Sequence, residues 1–414
     1  MTKFIVEVKT KSVRNKLAKI GKVGKPQTLE TIIILETDRT MEEVQAIPGV
    51  ISVEKESLDT PFDVEIQQRP DSWFLPSASN TFPDYHYDRT GEGVAIYFMD
   101  SGVRFDHEEF AGRDTLTVFT HDGLEHGGNV AGPDHGTMVA SCGAGNQHGI
   151  AKGASIYSLR YNWTTSEGIK ALDTLIAHHR THDMPSVLSM SFGSYSNIYN
   201  AAFRAVAAEG IVMVGAAGNF DEERPFYPAA RDDVISVAAV DRNLRPSVWG
   251  GPTPGSNYGP TVDIWAGGTS GVSASRNSST ATQTASGTSA ACPLVAGALA
   301  LQMEGRPRPT SFADVLVEKQ ELIRRSFKGV VEYTDPKYNT TPNRYIYSLV
   351  ETDVPPRDDT TPPGDDTTPP GDDITPEPDP RPRKDPPKER GGRNGPLMLG
   401  AALVILFILG SMFL

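Results

Sequence analysis

Four polar residues stand where a polar side chain is conspicuous. Asp100 follows the run VAIYFM at the end of an apolar strand, and a carboxylate half buried there costs free energy unless something uses it. Ser101-Gly102 then reads as a turn. His135 opens HGTMVASCGAG, a helical stretch in which Gly136 permits close backbone approach. Ser289 lies in SGTSAACPLVAG, and Pro293 falls where a first helical turn tolerates proline; its hydroxyl then faces the positive end of a helix. Asn219 follows IVMVGAAG, again at the carboxyl end of a strand. Singly, the first three read equally well as a turn carboxylate, a satisfied core histidine and a helix N-cap. Together the four supply what acyl transfer needs: a hydroxyl nucleophile, a base, a carboxylate to orient it and an amide donor for the oxyanion. The chain order Asp, His, Ser is one known for such a triad.

The elements that must position these residues are legible from about residue 90 to 350. Val94–Met99, Ser155–Tyr161, Val187–Phe192, Ile211–Ala217, Val234–Val240 and Val262–Ala266 are near-continuous apolar runs. Helical stretches at His135–Gly145, Ser166–His182 and Ile198–Glu209 lie between several of them. This alternation predicts an α/β fold with a doubly wound parallel sheet covered on both faces, whose site lies beyond the carboxyl ends of the strands. Residues 1–58 read as a separate small α+β unit, with strands at Phe4–Lys9, Thr31–Glu36 and Val50–Glu54. Two helices carry Val13, Leu17 and Ile20, and Met41, Val44 and Ile47. A polar stretch without periodicity, 59–70, separates the two units.

A net charge of −13 and an isoelectric point near 5.2 exclude the basic footprint of a nucleic-acid binder. Two cysteines, Cys142 and Cys292, exclude a disulfide scaffold and a four-cysteine zinc site. DDTTPPG repeats from Asp358 and from Asp365, so 351–395 is expected to be a disordered, extended spacer. Residues 396–414 end in an uncharged apolar run just long enough to span a bilayer. Six basic residues precede it: Arg381, Arg383, Lys384, Lys388, Arg390 and Arg393. The opening MTKFIVEVKTKSVRNK mixes apolar with charged residues and shows no signal-peptide core. A tail-anchored, single-pass protein with its bulk on the cytosolic side is expected.

YFMDSGV, DHGTMVAS, AAGN and SGTSAACPLVAG, in this order, resemble the catalytic blocks of the subtilisin-like serine proteases. QQRPDSW, DYHYDRTGEGV and SNYGPTVDIWAGGT are similar to the proteinase K branch. The resemblance covers about 69–350, with the catalytic domain placed at 71–350. It implies a serine endopeptidase acting on polypeptides, with Asp100, His135 and Ser289 as the triad and Asn219 as the oxyanion donor. It further implies that Ser191, Phe192 and Gly193 pair with the substrate backbone. With Ala216, Ala217 and Gly218 they line the pocket for the side chain preceding the scissile bond. Residues 1–58, with IPGVISVEKES, resemble the family's ferredoxin-like inhibitory propeptide, an intramolecular inhibitor removed by autoprocessing; an unrelated small domain is the other reading. No cofactor is required, although Asp263 matches a position where relatives bind structural calcium, with carbonyls near Asp232 and Val234. Asp134, Met138 and the stretch Ala266-Gly267-Gly268 depart from the family pattern, and Asp134 is expected to raise the pKa of its neighbour His135. The rival reading is a non-catalytic binding protein that keeps the fold and uses its tail for membrane display.

Overall fold

The computed structural model describes residues 2–8, 13–23, 32–55, 65–68, 70–123, 135–197 and 199–350. The spacer, the apolar C-terminal run, Asp134 and most of the 59–70 boundary lie outside these. Among the described residues no helix is long and apolar enough to cross a membrane. The described residues fall into two compact units, those up to Lys55 and those from Glu65 onward.

In the first unit, strands Thr2–Val8, Lys22–Val23, Ile32–Thr37 and Val50–Lys55 form an antiparallel sheet. The longest strand, Thr2–Val8, lies between Ile32–Thr37 and Val50–Lys55. Val6, Val13, Leu17, Leu35, Val44 and Val53 form its core. The helix Met41–Gln45 starts in a capping box, in which Thr40 and Glu43 satisfy each other's amides.

The second unit is built on a nine-stranded sheet. Its strands are β1 (Ala95–Asp100), β2 (Thr115–Thr120), β3 (Ser155–Arg160), β4 (Ser186–Met190), β5 (Val212–Ala216), β6 (Val234–Val240), β7 (Ile264–Gly267), β8 (Phe327–Lys328) and β9 (Arg344–Tyr345). They run in the order β8-β9-β7-β6-β5-β4-β1-β3-β2, and all described pairings are parallel except β8 with β9. Side chains along β1 and the residue before it alternate between two cores: Val94, Ile96 and Phe98 enter one, Ala95, Tyr97 and Met99 the other. Both faces are thus covered, which is why the strands read as continuous apolar runs. Helices α1 (His135–Ala144) and α4 (Thr288–Met303) supply the first core, and α2 (Thr165–His179) and α3 (Asn200–Ala208) the second. Each aliphatic side chain buried this way contributes about 1.5–3 kcal/mol.

Helix α4 decides where the site forms. Every residue from Thr288 to Met303 is buried except Ser289, so α4 is a core helix without a polar face. It packs against α1 and against β4, β5, β6 and β7. A last helix, α5 (Phe312–Arg325), begins at Ser311, whose side chain caps the Asp314 amide.

Candidate active site

Strand order reverses at β1, with β3 on one side and β4 on the other. A crevice opens at such a switch point beyond the carboxyl ends of the strands. Asp100 ends β1 and is only 1% exposed. Its two carboxylate oxygens lie 3.0 and 2.9 Å from His135 Nδ1, and Oδ1 also accepts the Ser101 amide at 2.7 Å. A carboxylate on Nδ1 fixes the proton there and leaves Nε2 as the basic nitrogen. His135 reaches this position because Gly136 has no side chain: a Cβ there would stand 2.3 Å from the Gly102 carbonyl oxygen. The Gly136 amide donates to Ser101 Oγ at 3.0 Å, and Thr137 Oγ1 accepts the Arg104 amide at 3.1 Å. The turn after β1 and the first turn of α1 are therefore one hydrogen-bonded unit.

Ser289 begins the buried helix α4. Its Oγ lies 3.2 Å from the Ser191 carbonyl, while Ser191 Oγ donates to the Ser289 carbonyl at 2.9 Å. This reciprocal pair ties the start of α4 to the end of β4. Backbone amides in a first helical turn lack intrahelical acceptors, so the Ser289 N–H is available to a ligand. Asn219 follows β5, and its Oδ1 accepts both the Thr288 amide at 2.9 Å and Thr288 Oγ1–H at 2.8 Å. Thr288 Oγ1 in turn accepts the Gly218 amide at 3.2 Å. With its oxygen doubly held, Asn219 must point its NH₂ the other way, as an oxyanion donor requires. Asn257 braces the same loop: Nδ2 donates to the Ala217 carbonyl and Oδ1 accepts the Phe220 amide, both at 2.9 Å.

The residues expected to line the substrate path are Ser191, Phe192 and Gly193 after β4, and Ala216, Ala217 and Gly218 at the end of β5. Two neighbours were not foreseen. Trp163, in the loop between β3 and α2, adopts φ 65°. Its ring stands edge-on to His135 at 6.5 Å between centroids and to Phe192 at 6.0 Å. Tyr161 packs behind both. Thr288 was also missed; its place immediately before Ser289 was the available signal.

The match to known proteins agrees with this geometry. Residues 91–345 match the family model described as the subtilase family, Peptidase S8. The chain belongs to the subtilases. It is 33% identical over 330 residues to subtilisin-like protease 3 of Pseudogymnoascus destructans, covering 73% of this chain and 79% of that one. Alkaline protease 1 of Aspergillus oryzae is 34% identical over 281 residues, covering 63% of this chain and 65% of that one. A cold-adapted subtilisin-like serine proteinase of known structure superposes with a TM-score of 0.58 at 28% identity, covering 67% of this chain and 98% of that one. This subtilase is a serine peptidase with the subtilisin-like α/β fold, and it is consistent with the proteinase K branch.

The calcium expectation at Asp263 meets a different arrangement. The Lys319 ammonium lies 2.8 Å from Asp263 Oδ2 and donates to the Asp232 and Val234 carbonyls at 3.0 and 2.7 Å. The three oxygens expected to hold a divalent ion are filled by the chain's own cation, and they do not fit calcium in this state. Among the described residues no cluster of three or more His, Cys, Asp or Glu could hold a metal. Cys142 and Cys292 are both free and buried. Burial pushes the Cys142 thiol up and that of Cys292 up to about 12, so both serve as core packing. Met138 is likewise buried in the core.

Proposed function

We propose that this subtilase is an endopeptidase in which Ser289 attacks the peptide carbonyl while His135 Nε2 takes its proton and returns it to the leaving amine. Asp100 holds the imidazole and offsets its charge, and the oxyanion is met by Asn219 Nδ2 and the Ser289 amide. The observation that carries this reading is the Asp100–His135 pair at the switch point, with Ser289 the single unburied residue of α4, a helix packed against the α1 that His135 opens. On attack the Ser289 hydroxyl turns from the Ser191 carbonyl to His135. Polypeptides are the substrates, and residues 1–58 act as an inhibitor that the enzyme removes by its own cleavage within the polar boundary. The apolar run at 397–414 tethers the enzyme to a bilayer through the acidic spacer, with the basic residues before it holding the catalytic domain on the cytosolic face.

Ser289→Ala tests the mechanism. The variant keeps the wild-type fold, cleaves no peptide above background and stays full length on incubation, whereas the wild type converts to a form beginning near the boundary. A folded Ser289→Ala protein that cleaves peptides near the wild-type rate would overturn the assignment.

A further inference from the structure

Between the two stretches assigned to the pocket for the residue before the scissile bond stands an aromatic ring. A Cβ added at Gly193 would meet Phe226 Cε1 at 2.5 Å and Cδ1 at 2.6 Å. At Gly218, which has φ +105°, an added Cβ would meet Phe226 Cδ1 at 3.1 Å. One ring therefore lies against the bare Cα atoms of both walls. Even the methyl group of alanine at Gly193 would collide with it.

The ring is held there. Ser194 and Tyr227 exchange backbone hydrogen bonds of 2.8 and 2.7 Å, which lock the segment after Phe226 onto the strand that continues from Gly193. Phe220 and Tyr195 pack on Phe226 at 5.7 and 5.5 Å between centroids. Tyr195 is itself fixed, with the Arg224 guanidinium 3.7 Å over its ring and its hydroxyl donating to Glu222 at 2.9 Å. Phe226 is 9% exposed. A large side chain could enter only by displacing a ring braced on three sides, and overpacking of that kind is costly.

We propose that Phe226 floors the pocket, so that this subtilase cleaves after small residues (glycine, alanine, serine) and discriminates against large apolar and aromatic ones. The inference rests on the assignment of Ser191–Gly193 and Ala216–Gly218 as the pocket walls and on Ser289 as nucleophile. Replacing Phe226 by a smaller residue would deepen the pocket while leaving Asp100, His135, Ser289 and Asn219 in place.

A peptide series differing only in the residue before the bond, Gly, Ala, Leu or Phe, tests this with wild type, Phe226→Ala and Phe226→Leu. Wild type shows its highest kcat/KM with Gly or Ala. In Phe226→Ala the ratio for Phe over Ala rises by about 10–200-fold, the range that apolar pocket volume controls, with a smaller rise in Phe226→Leu. Both variants lose stability, so the wild-type cleavage map of a denatured protein serves as a readout that needs no variant. Preferential wild-type cleavage after Phe or Leu, or folded variants with an unchanged profile, would overturn the inference. Absence of any Ser289-dependent cleavage across the series would instead overturn the nucleophile assignment.

Discussion

In the proposed mechanism Thr288, a residue without chemistry of its own, orients the Asn219 side chain. An asparagine amide can present either end to a developing oxyanion, and only the NH₂ end stabilises it. Two hydrogen bonds from Thr288 take the Asn219 oxygen out of contention. Thr288→Val keeps the shape and the backbone bond but removes the hydroxyl. The expected result is a fall of about fivefold in kcat, corresponding to one hydrogen bond of roughly 1 kcal/mol, with KM nearly unchanged; steady-state kinetics checks it, and a change confined to KM would assign Thr288 to substrate binding. Asp100, His135, Ser289 and Asn219 were legible in the sequence because each interrupts an apolar or small-residue run at the end of an element. Thr288, Trp163 and Phe226 were not. Their roles come from contacts across the fold, such as the Trp163 edge on His135, and no local periodicity marks them.

Elements differ in the same way. The strands of the central sheet were visible because burial on both faces makes them continuously apolar. Helix α4 was harder to bound, since a helix buried all round has no amphipathic period. β2 is only partly buried along its length and gives no such run. Nothing local in the sequence signals that the Lys319 ammonium meets Asp263, because that side chain comes from α5, far along the chain. Lys319→Ala leaves the Asp263 carboxylate and two carbonyls facing each other without a cation. We expect a loss of about 2–3 kcal/mol, read as a Tm lower by several degrees and partly restored by millimolar calcium in the variant. An unchanged Tm would show that the ammonium contributes nothing. The end of α2 carries a second electrostatic device. Burial, and then the Arg308 guanidinium, pushes His179 down to about 4. His178 and His182 are lowered chiefly by burial, with Asp114 opposing in both and Asp183 in His182. His179 is held neutral between Ser186 Oγ and the Glu209 carbonyl. Because the folded pKa lies below the unfolded value of about 6.5, this stabilisation is complete above that pH and is lost as pH falls toward 4. His179→Gln should therefore show a shallower fall of Tm between neutral and mildly acidic pH than the wild type; parallel curves would contradict it.

At the scale of the molecule, the fold places one polar cluster at the reversal of strand order and buries nearly everything beneath it. Asp100 reaches His135 through the close approach of Gly136 to the β1 turn, and the start of α4 is bonded to the ends of β4 and β5. The fold class and the positions of Asp100, His135, Ser289 and Asn219 at the ends of elements could be read from the sequence, because strand ends and helix starts leave local marks. The contacts of Phe226 with Gly193 and Gly218, and of Lys319 with Asp263, could not, because they depend on which distant segments meet. The proposed mechanism requires Ser289 to be an activated nucleophile in the folded enzyme. Reaction with a fluorophosphonate probe, followed by intact mass and peptide mapping, tests it most directly. One adduct per chain is expected, located on Ser289, lost in Ser289→Ala, strongly slowed in His135→Ala and absent after denaturation. A folded wild-type protein that cleaves peptides yet takes no adduct, or takes it on another residue, would contradict it.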